Sequence, residues 1–301
     1  MNKEQKLKQI FTFIYDKVRK LQNNNYFDKA VEREASKTYA GMSDDFFFTQ
    51  MVDLIFQGGI RGQVWQRYEP EIRKEFKDYK VRKAANFTQK DVERMLANPK
   101  MLKNRKKIEA AIYKAKEMVA ISKEYDGFWK FLDSHNSKNI QELVEKLKSN
   151  FKWMGYTNAY AFLKYVGMEV TKPNLNVMRV LFRLGLIDDN KKNLATYKQI
   201  QEIAKKMAKA ARVSMAVVDF TLYMYGAGEK PFVKYAVCGK VPKCNICARF
   251  SMNLISLKLA RTLCVPRLKR ISSLLKASLI LPRSVYVASL IGLSTVIDGG
   301  M

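Results

Sequence analysis

The side chains best suited to metal chemistry in this sequence are three neighbouring cysteines, Cys238, Cys244 and Cys247. Their C-x5-C-x2-C spacing lets the thiols reach one centre, and thiolates hold iron–sulfur clusters and zinc. Buried thiols without a metal are the alternative. Four cysteines in 301 residues do not make a disulfide scaffold. The early residues lack a secretory apolar segment, so we expect a cytoplasmic protein with reduced thiols.

The sequence contains one histidine, His135. Sites that need two histidines, such as the zinc hydrolases with an HExxH motif, are therefore excluded. We expect His135 to lie on the surface, in a Ser-His-Asn turn.

The charge balance favours a polyanion as partner. Lys and Arg number 55 against 28 Asp and Glu, which gives a net charge of +27 and an isoelectric point near 9.9. Such a surplus is typical of nucleic-acid-binding proteins, although solvated lysine faces are the alternative. No uncharged apolar stretch is long enough for a membrane span, so no membrane partner is expected.

One short turn combines glycine with positive charge. A helix is predicted to end near Asn150 and a second to begin at Thr157, with Gly155 in the turn between them. Backbone N–H groups in such a turn, with the N-terminus of the second helix, can bind one phosphate. Lys148 and Lys152 flank the turn and add charge. This contact would position DNA without reading its sequence; an ordinary αα-hairpin is the alternative.

The elements that position this turn are helical. Apolar residues recur at spacings of three and four along most of the chain, and no segment alternates as a strand does. An all-α fold is therefore predicted. Residues 248–301 differ, with eight bases against one acid and poor helical spacing. We interpret them as a basic C-terminal appendage with little order.

The residues after the hairpin carry a resemblance. They read Lys172-Pro173-Asn174-Leu175-Asn176-Val177-Met178-Arg179-Val180-Leu181-Phe182-Arg183-Leu184-Gly185-Leu186. This resembles the DNA glycosylases of the helix-hairpin-helix, Gly/Pro-rich-loop, aspartate superfamily, whose pattern there is V-D-x-H-V-x-R-V-x-x-R-L-G-L. Segments 44–48, 55–60 and 103–110 are also similar to this family, and DNA-3-methyladenine glycosylases are the most similar members. The resemblance covers about residues 43–228.

The resemblance implies a two-lobed helical fold with double-stranded DNA across the cleft between the lobes. The damaged nucleotide would be flipped into a pocket, where an aspartate acts beside the sugar. On this basis we predict four parts. They are an N-terminal helical segment that packs on the second lobe (1–42), a helical barrel lobe that ends in the hairpin (43–170), a second lobe with a Cys-rich loop (171–247) and the basic tail (248–301).

The sequence departs from the family at the catalytic position. Asn174 stands where the family has its aspartate, and Asn176 stands where a histidine is usual. An amide is neither a base nor a counter-charge for an oxocarbenium ion. Three interpretations remain open: a cationic alkylated base that leaves without help, an inactive DNA-binding variant, or another carboxylate in this role. The candidates for that carboxylate are Asp188, Asp189 and Asp219.

Three residues are predicted to form the base pocket, namely Gln57, Trp65 and Phe47. Gln57 matches a pocket glutamate of the bacterial type I enzymes; in endonuclease III-like relatives a glutamine near this place enters the DNA stack instead. Trp65 matches a pocket aromatic that would attract a cationic base, with a place in the core as the alternative. Of the consecutive aromatics Phe46, Phe47 and Phe48, one is expected to line the cleft.

The resemblance also bears on DNA contacts and cofactors. We expect the hairpin and the following loop to touch DNA through Lys148, Lys152, Trp153, Gly155, Thr157 and Lys172. Thr157 lies where bifunctional lyases carry a Schiff-base lysine, so lyase chemistry is not expected. The family's [4Fe–4S] pattern is C-x6-C-x2-C-x5-C; here the first gap is one residue short and Asn253 replaces the fourth cysteine.

These features predict a monofunctional DNA N-glycosylase of base excision repair that removes alkylated purines, most of all 3-methyladenine. No cofactor is required for that reaction, although a [4Fe–4S] cluster is an open option at Cys238, Cys244 and Cys247. The partner would be duplex DNA with a damaged base, bound by a monomer associated with the nucleoid. A catalytically impaired DNA-binding protein of the same fold is the alternative, because of Asn174.

Overall fold

A computed structural model of the protein describes residues 2–60, 62–136, 139–227, 236–240 and 243. Within them there are thirteen helices and no strand, which confirms the all-α prediction. The helices are α1 Lys3–Gln22, α2 Asn24–Ala35, α3 Asp44–Gln57, α4 Gly62–Glu75, α5 Val81–Ala85, α6 Gln89–Ala97, α7 Arg105–Tyr125, α8 Phe128–Asn136, α9 Ile140–Asn150, α10 Tyr156–Val166, α11 Leu175–Arg183, α12 Leu194–Ala211 and α13 Met215–Gly226. The basic segment 248–301 lies outside the described residues.

One group of helices combines the two ends of the described chain. The first helix, α1, packs on α12 and α13, while α2 and α11 each pack on α13. The apolar stripe of α1 is buried in these contacts, with Ile10 and Ile14 fully enclosed. The helical spacing of the first residues thus produces the face that packs against the last helices.

A second group surrounds α3, which packs on α7 and α10. The Ser43 hydroxyl accepts a hydrogen bond from the Phe46 backbone N–H at 3.3 Å, and α3 ends before Gly58. Its buried face carries Phe47, whose ring centroid lies 5.4 Å from that of Phe128 and 6.4 Å from that of Phe162. Aromatic packing therefore fixes α3 between its neighbours.

The end of α10 lies against the segment that follows α2. Gly167 has a φ of +101°, and a Cβ there would lie 2.7 Å from the Lys37 carbonyl carbon and 2.8 Å from the Thr38 backbone nitrogen. Neither the backbone angle nor the space admits a side chain. This close approach forms one wall of the cleft described below.

The prediction that His135 lies on the surface is wrong. The residue is only 8% exposed, and its ring centroid lies 4.9 Å from that of Phe131. Its Nδ1 lies 2.9 Å from the Phe131 carbonyl oxygen and 2.9 Å from the Ser134 hydroxyl. His135 is therefore a buried residue of α8 that packs against Phe131. None of the described helices has the length and hydropathy needed to cross a membrane.

Candidate functional site

The hairpin turn between α9 and α10 is anchored in the core on one side and exposed to solvent on the other. Phe151 and Met154 are buried and anchor the turn, while Trp153 between them is 49% exposed. Trp153 has a φ of +62°, and the Asn158 side-chain nitrogen donates to its carbonyl oxygen at 3.0 Å. The turn therefore presents an aromatic ring to solvent at a fixed place.

Gly155 is the N-cap of α10, a position where glycine is commoner than alanine. Neither its backbone angle nor its packing requires glycine. Its φ is −73°, which any residue adopts, and an added Cβ would meet no atom within 4 Å. The N–H groups in the first turn of a helix have no partner within the helix and attract anions. What the missing side chain provides is open approach to these N–H groups.

The basic and polar residues of the hairpin differ in how far they are already engaged. Lys148 Nζ lies 2.9 Å from a Glu145 oxygen and 3.4 Å from the centroid of the Tyr156 ring. Lys152 is exposed and lies over the Tyr113 ring, 4.4 Å from its centroid. The Thr157 hydroxyl shares a hydrogen bond of 2.9 Å with the Tyr197 hydroxyl.

The two asparagines at the predicted catalytic position both make structural hydrogen bonds. Asn174 is the N-cap of α11, and its Oδ1 accepts from the Asn176 and Val177 backbone N–H groups at 2.8 and 3.2 Å. The Asn176 Oδ1 accepts from Arg179, which also donates to the Gly226 carbonyl, each at 3.1 Å. Asn174 thus orders the start of α11, and Asn176 is tied to the end of α13.

A buried ion network holds the loop that leads to Asn174. Lys164 Nζ lies 3.0 Å from Asp219 Oδ2 and 3.0 Å from Glu34 Oε2, and all three side chains are 8% exposed or less. The Asp219 Oδ1 accepts from the Lys172 backbone N–H at 2.8 Å. Helices α2, α10 and α13 and the loop are therefore joined through one cation.

Burial and mutual attraction shift the pKa values of the three groups in this network. Burial raises the pKa of Asp219, and attraction to Lys164 offsets only part of that rise. Burial also acts against ionised Glu34, yet Lys164 and Lys37 outweigh it and lower the pKa of Glu34 below its ordinary value. The two carboxylates together raise the pKa of Lys164 against the effect of its burial.

Of the three proposed substitute carboxylates, Asp219 is closed to a ligand, whereas Asp188 is exposed and Asp189 is partly exposed. Asp219 is 2% exposed and paired as described. Asp188 accepts from the Gln199 side-chain nitrogen at 2.5 Å, and Asp189 accepts from the Lys191 backbone N–H at 3.0 Å. Their present hydrogen bonds give each of them a structural role.

A cleft of about 500 Å³ lies at the end of α10, from which this loop starts, and Asn174 is not among the residues that line it. One face of α3 forms a wall, the stretch from the end of α2 to Met42 forms another, and Tyr165 of α10 closes the cleft. The lining residues on α3 are Phe46, Gln50, Asp53 and Gln57. They are spaced by three and four positions, so they share one face of the helix.

Only one of the three predicted pocket residues lines the cleft. Gln57 lines it, and its predicted contact with a flipped base stays a prediction. Phe47 is fully buried, and the aromatic that reaches the cleft is its neighbour Phe46. Trp65 is 9% exposed and belongs to the core cluster rather than to the cleft lining. A one-residue step turns a helical side chain by about 100°, which explains why Phe46 and Phe47 have different surroundings.

Tyr165 connects the cleft to the loop before Asn174. Its hydroxyl accepts from Lys172 Nζ at 2.8 Å, and Lys172 Nζ lies 5.0 Å from the ring centroid. Lys37 Nζ lies 5.9 Å from the same centroid on the cleft side. Two lysine side chains therefore lie within 6 Å of the centre of the Tyr165 ring, at the margin of the cleft.

Of the three cysteines, only Cys238 lies within the described residues; Cys244 and Cys247 lie outside them. Cys238 is 9% exposed, and Arg183 lies 3.6 Å from its Sγ and donates to the Gly239 carbonyl oxygen at 2.7 Å. Within the described part of the chain, no three His, Cys, Asp or Glu side chains could hold a metal ion together. The predicted [4Fe–4S] cluster stays a prediction.

The described helices thus combine a hairpin whose second helix has an open N-terminus with a cleft large enough for a small ligand. Residues 37–174 match the family model of methyladenine glycosylases. The matched segment is a little under half of the chain and contains the cleft face of α3, the hairpin and Asn174. It confirms the resemblance seen in the sequence, and the chain is a homologue of DNA glycosylases.

Solved structures of DNA glycosylases resemble this chain to different extents. The 8-oxoguanine DNA glycosylase of Methanocaldococcus jannaschii is 20% identical over 71% of this chain and 92% of its own, with a TM-score of 0.50. That of Thermotoga maritima is 20% identical over 72% and 95%, with a TM-score of 0.49. The 3-methyladenine DNA glycosylase I of Staphylococcus aureus is 21% identical over 44% and 82%, with a TM-score of 0.39.

Proposed function

We propose that this protein removes cationic alkylated purines, of which 3-methyladenine is the type, from double-stranded DNA after flipping the damaged nucleotide into the cleft. The observation that carries the proposal is the match of residues 37–174 to the methyladenine glycosylases. The cleft volume of about 500 Å³ lies within the usual range for small-molecule sites.

The chemistry of a cationic base suits the residues present. When its glycosidic bond breaks, the electron pair moves to the base, which leaves as a neutral molecule without a proton from the protein. The sugar then needs less help from a carboxylate, and the uncharged Asn174 is compatible with the reaction. The backbone N–H groups behind Gly155 would hold one phosphate of the DNA near the flipped nucleotide.

The proposal is tested by incubating excess protein with a panel of duplexes that carry single lesions and measuring the free base released in a single turnover. We expect release of 3-methyladenine, slower release of 7-methylguanine, and no release from the undamaged duplex. Absence of any free base from the whole panel would remove the enzymatic proposal.

A catalytically impaired DNA-binding protein is the second candidate, and Asn174 favours it. It would bind lesion-bearing duplex more tightly than undamaged duplex and release no base from either. Its affinity should fall steeply with salt, because contacts with phosphates release counterions. The lesion panel combined with a salt titration therefore separates the two candidates.

Replacing Gly155 with Ala should weaken DNA binding without affecting the fold. The Cβ has free space in the protein alone, but it would stand where a phosphate approaches the helix N-terminus. Loss of one hydrogen-bonded phosphate corresponds to a roughly 10-fold higher Kd for duplex DNA. Fluorescence anisotropy measures the Kd, and urea denaturation measures the free energy of unfolding.

The control for this experiment is Gly167→Ala. That Cβ would collide with the Lys37 backbone at a φ of +101°, so we expect a loss of about 1–3 kcal/mol of folding free energy. If Gly155→Ala lost stability like Gly167→Ala, or kept the wild-type Kd, the hairpin would be an ordinary connection.

A further inference from the structure

The cleft contains one carboxylate that no step proposed so far uses, Asp53. It lies one turn before Gln57 and one turn after Gln50 on the cleft face of α3. Its Oδ1 is enclosed, and no hydrogen-bond donor among the described residues reaches it. Glu34 shares its network with Lys164, whereas Asp53 is the acid among the residues that line the cleft.

The charged groups around Asp53 do not neutralise it. On α4, Glu69 repels the carboxylate and Arg73 attracts it; Arg73 already lies 2.8 Å from a Glu69 oxygen. Burial, then Glu69, raise the pKa of Asp53 to about 6, and Arg73 offsets only part of the rise. A carboxylate in this condition is stabilised by a cation that enters the cleft.

The remaining titratable and charged groups lie farther along the walls. Arg33 and Lys37 line the side formed by the end of α2, and Tyr165 lines the side of α10. Tyr79 lies near Asp53, and its pKa is raised by burial and by the charge of Asp53. Positive side chains thus stand at the outer walls, and the negative charge stands beside Gln57.

We propose that Asp53 is the specificity-determining residue of the cleft, the counter-charge that selects a cationic purine over a neutral purine of the same shape. This inference deepens the proposed function and rests on it. The positive charge of an N-alkylated nucleoside is spread over the purine ring, so an adjacent carboxylate gains Coulomb energy that a neutral ring does not supply. Gln57 beside it supplies hydrogen bonds but no charge.

Asp53 keeps its charge through the reaction. The bond between the sugar C1′ and the purine nitrogen breaks, and its electron pair neutralises the base. Water adds its oxygen to C1′ and releases one proton to solvent. No proton passes through Asp53, so its role is selection of the base and not acid catalysis.

The test compares binding of two duplexes by the full chain. One contains 3-methyladenine, which is cationic throughout this pH range and is made resistant to cleavage by a 2′-fluoro sugar, and the other contains its neutral isostere 3-deaza-3-methyladenine. For wild type at pH 8 we expect the cationic duplex to bind about 10-fold more tightly, the equivalent of one pKa unit. At pH 5, where Asp53 is protonated, the preference should disappear.

The variant Asp53→Asn keeps the shape and removes the charge, so it should lack the preference at both pH values. Asp78→Asn is the matched control, because Asp78 is exposed and at a φ of +56° that Asn adopts readily. It should retain the wild-type preference. Since Asp53→Asn removes a poorly compensated charge, thermal unfolding should show it at least as stable as wild type.

Equal preferences in wild type and Asp53→Asn at pH 8 would overturn the inference. Binding of the neutral base that tightens as pH falls, and only with Asp53 present, would also overturn it, because Asp53 would then donate a proton. Neither duplex needs to be cleaved. Wild type that releases 3-methyladenine while Asp53→Asn keeps the preference would therefore retain the proposed function and reject only this inference.

Discussion

Replacing Lys164 with Met should lower the free energy of unfolding by about 3–5 kcal/mol at pH 7, because it leaves buried Asp219 without its ion-pair partner and buried Glu34 with Lys37 alone. Lys164 lies 3.0 Å from both Glu34 and Asp219, and all three side chains are nearly inaccessible. The length and volume of Met are close to those of the Lys stem, so the loss would report on charge rather than on a cavity. Urea denaturation gives the free energy.

The pH dependence gives this prediction a sign. In the variant, the folded-state pKa of Asp219 would lie further above its unfolded value, and that of Glu34, still paired with Lys37, would rise from its lowered value. Stability would then be lowest at neutral pH and would be regained as pH falls through the folded pKa of Asp219. In wild type the pKa of Glu34 is lowered and that of Asp219 is raised, so their effects oppose each other. The difference between variant and wild type should therefore shrink from pH 7 to pH 5.

Two further variants separate the buried network from lysine in general. Lys206→Met removes an exposed lysine that lies 3.7 Å from Glu202, and its effect should stay within about 0.5 kcal/mol. Adding Asp219→Asn to Lys164→Met should restore part of the stability, since the amide oxygen still accepts from the Lys172 backbone and needs no cation. A loss that is equal at both pH values would show that packing, and not charge, explains the effect.

Local signals in the sequence predicted much of the fold. Thr88 and Asp91 have the spacing of a capping box and form one at the start of α6, and the apolar segment around Val217 is helical. Helices α4 and α8 lack such signals. Helix α4 contains Pro70 in its interior, and α8 has only nine residues. Both depend on packing partners that are distant in sequence, which periodicity does not show.

The candidate site could be predicted only in part, for the same reason. Gln57 was found because a motif marks it, whereas Asp53 lines the cleft through contacts that α3 makes with distant segments. A weak signal existed: Asp53 lies four positions before Gln57, in an otherwise apolar stretch of helix. The role of Asp219 depends on Lys164, more than fifty positions earlier in the chain. A single sequence, read alone, does not reveal such pairs.

Replacing Asn174 with Asp should increase base release, by about 100-fold for a neutral purine and by less for a cationic one. The carboxylate would stand at the position that carries charge in the family and would stabilise the oxocarbenium ion of the sugar. A neutral base leaves only as the sugar becomes strongly cationic, so it should gain more than an alkylated base that carries its own driving force. Single-turnover release from duplexes with hypoxanthine and 3-methyladenine gives both ratios.

The local structure makes this substitution a clean test. The Asn174 Oδ1 caps α11, and Asp caps a helix as well as Asn does, so one oxygen would keep the cap while the second replaces the amide nitrogen. Asn193→Asp is the matched control, because Asn193 caps α12 through a hydrogen bond of 2.8 Å from the Thr196 N–H and lies outside the segment that matches the methyladenine glycosylases. Both variants add one negative charge at a helix N-terminus, so both should keep wild-type stability and weaken DNA binding to a similar, small extent. Only Asn174→Asp should accelerate base release; if the two variants release base at the same rate, the flipped sugar does not lie at the start of α11 and the selection of the lesion must rest on the cleft face of α3 alone.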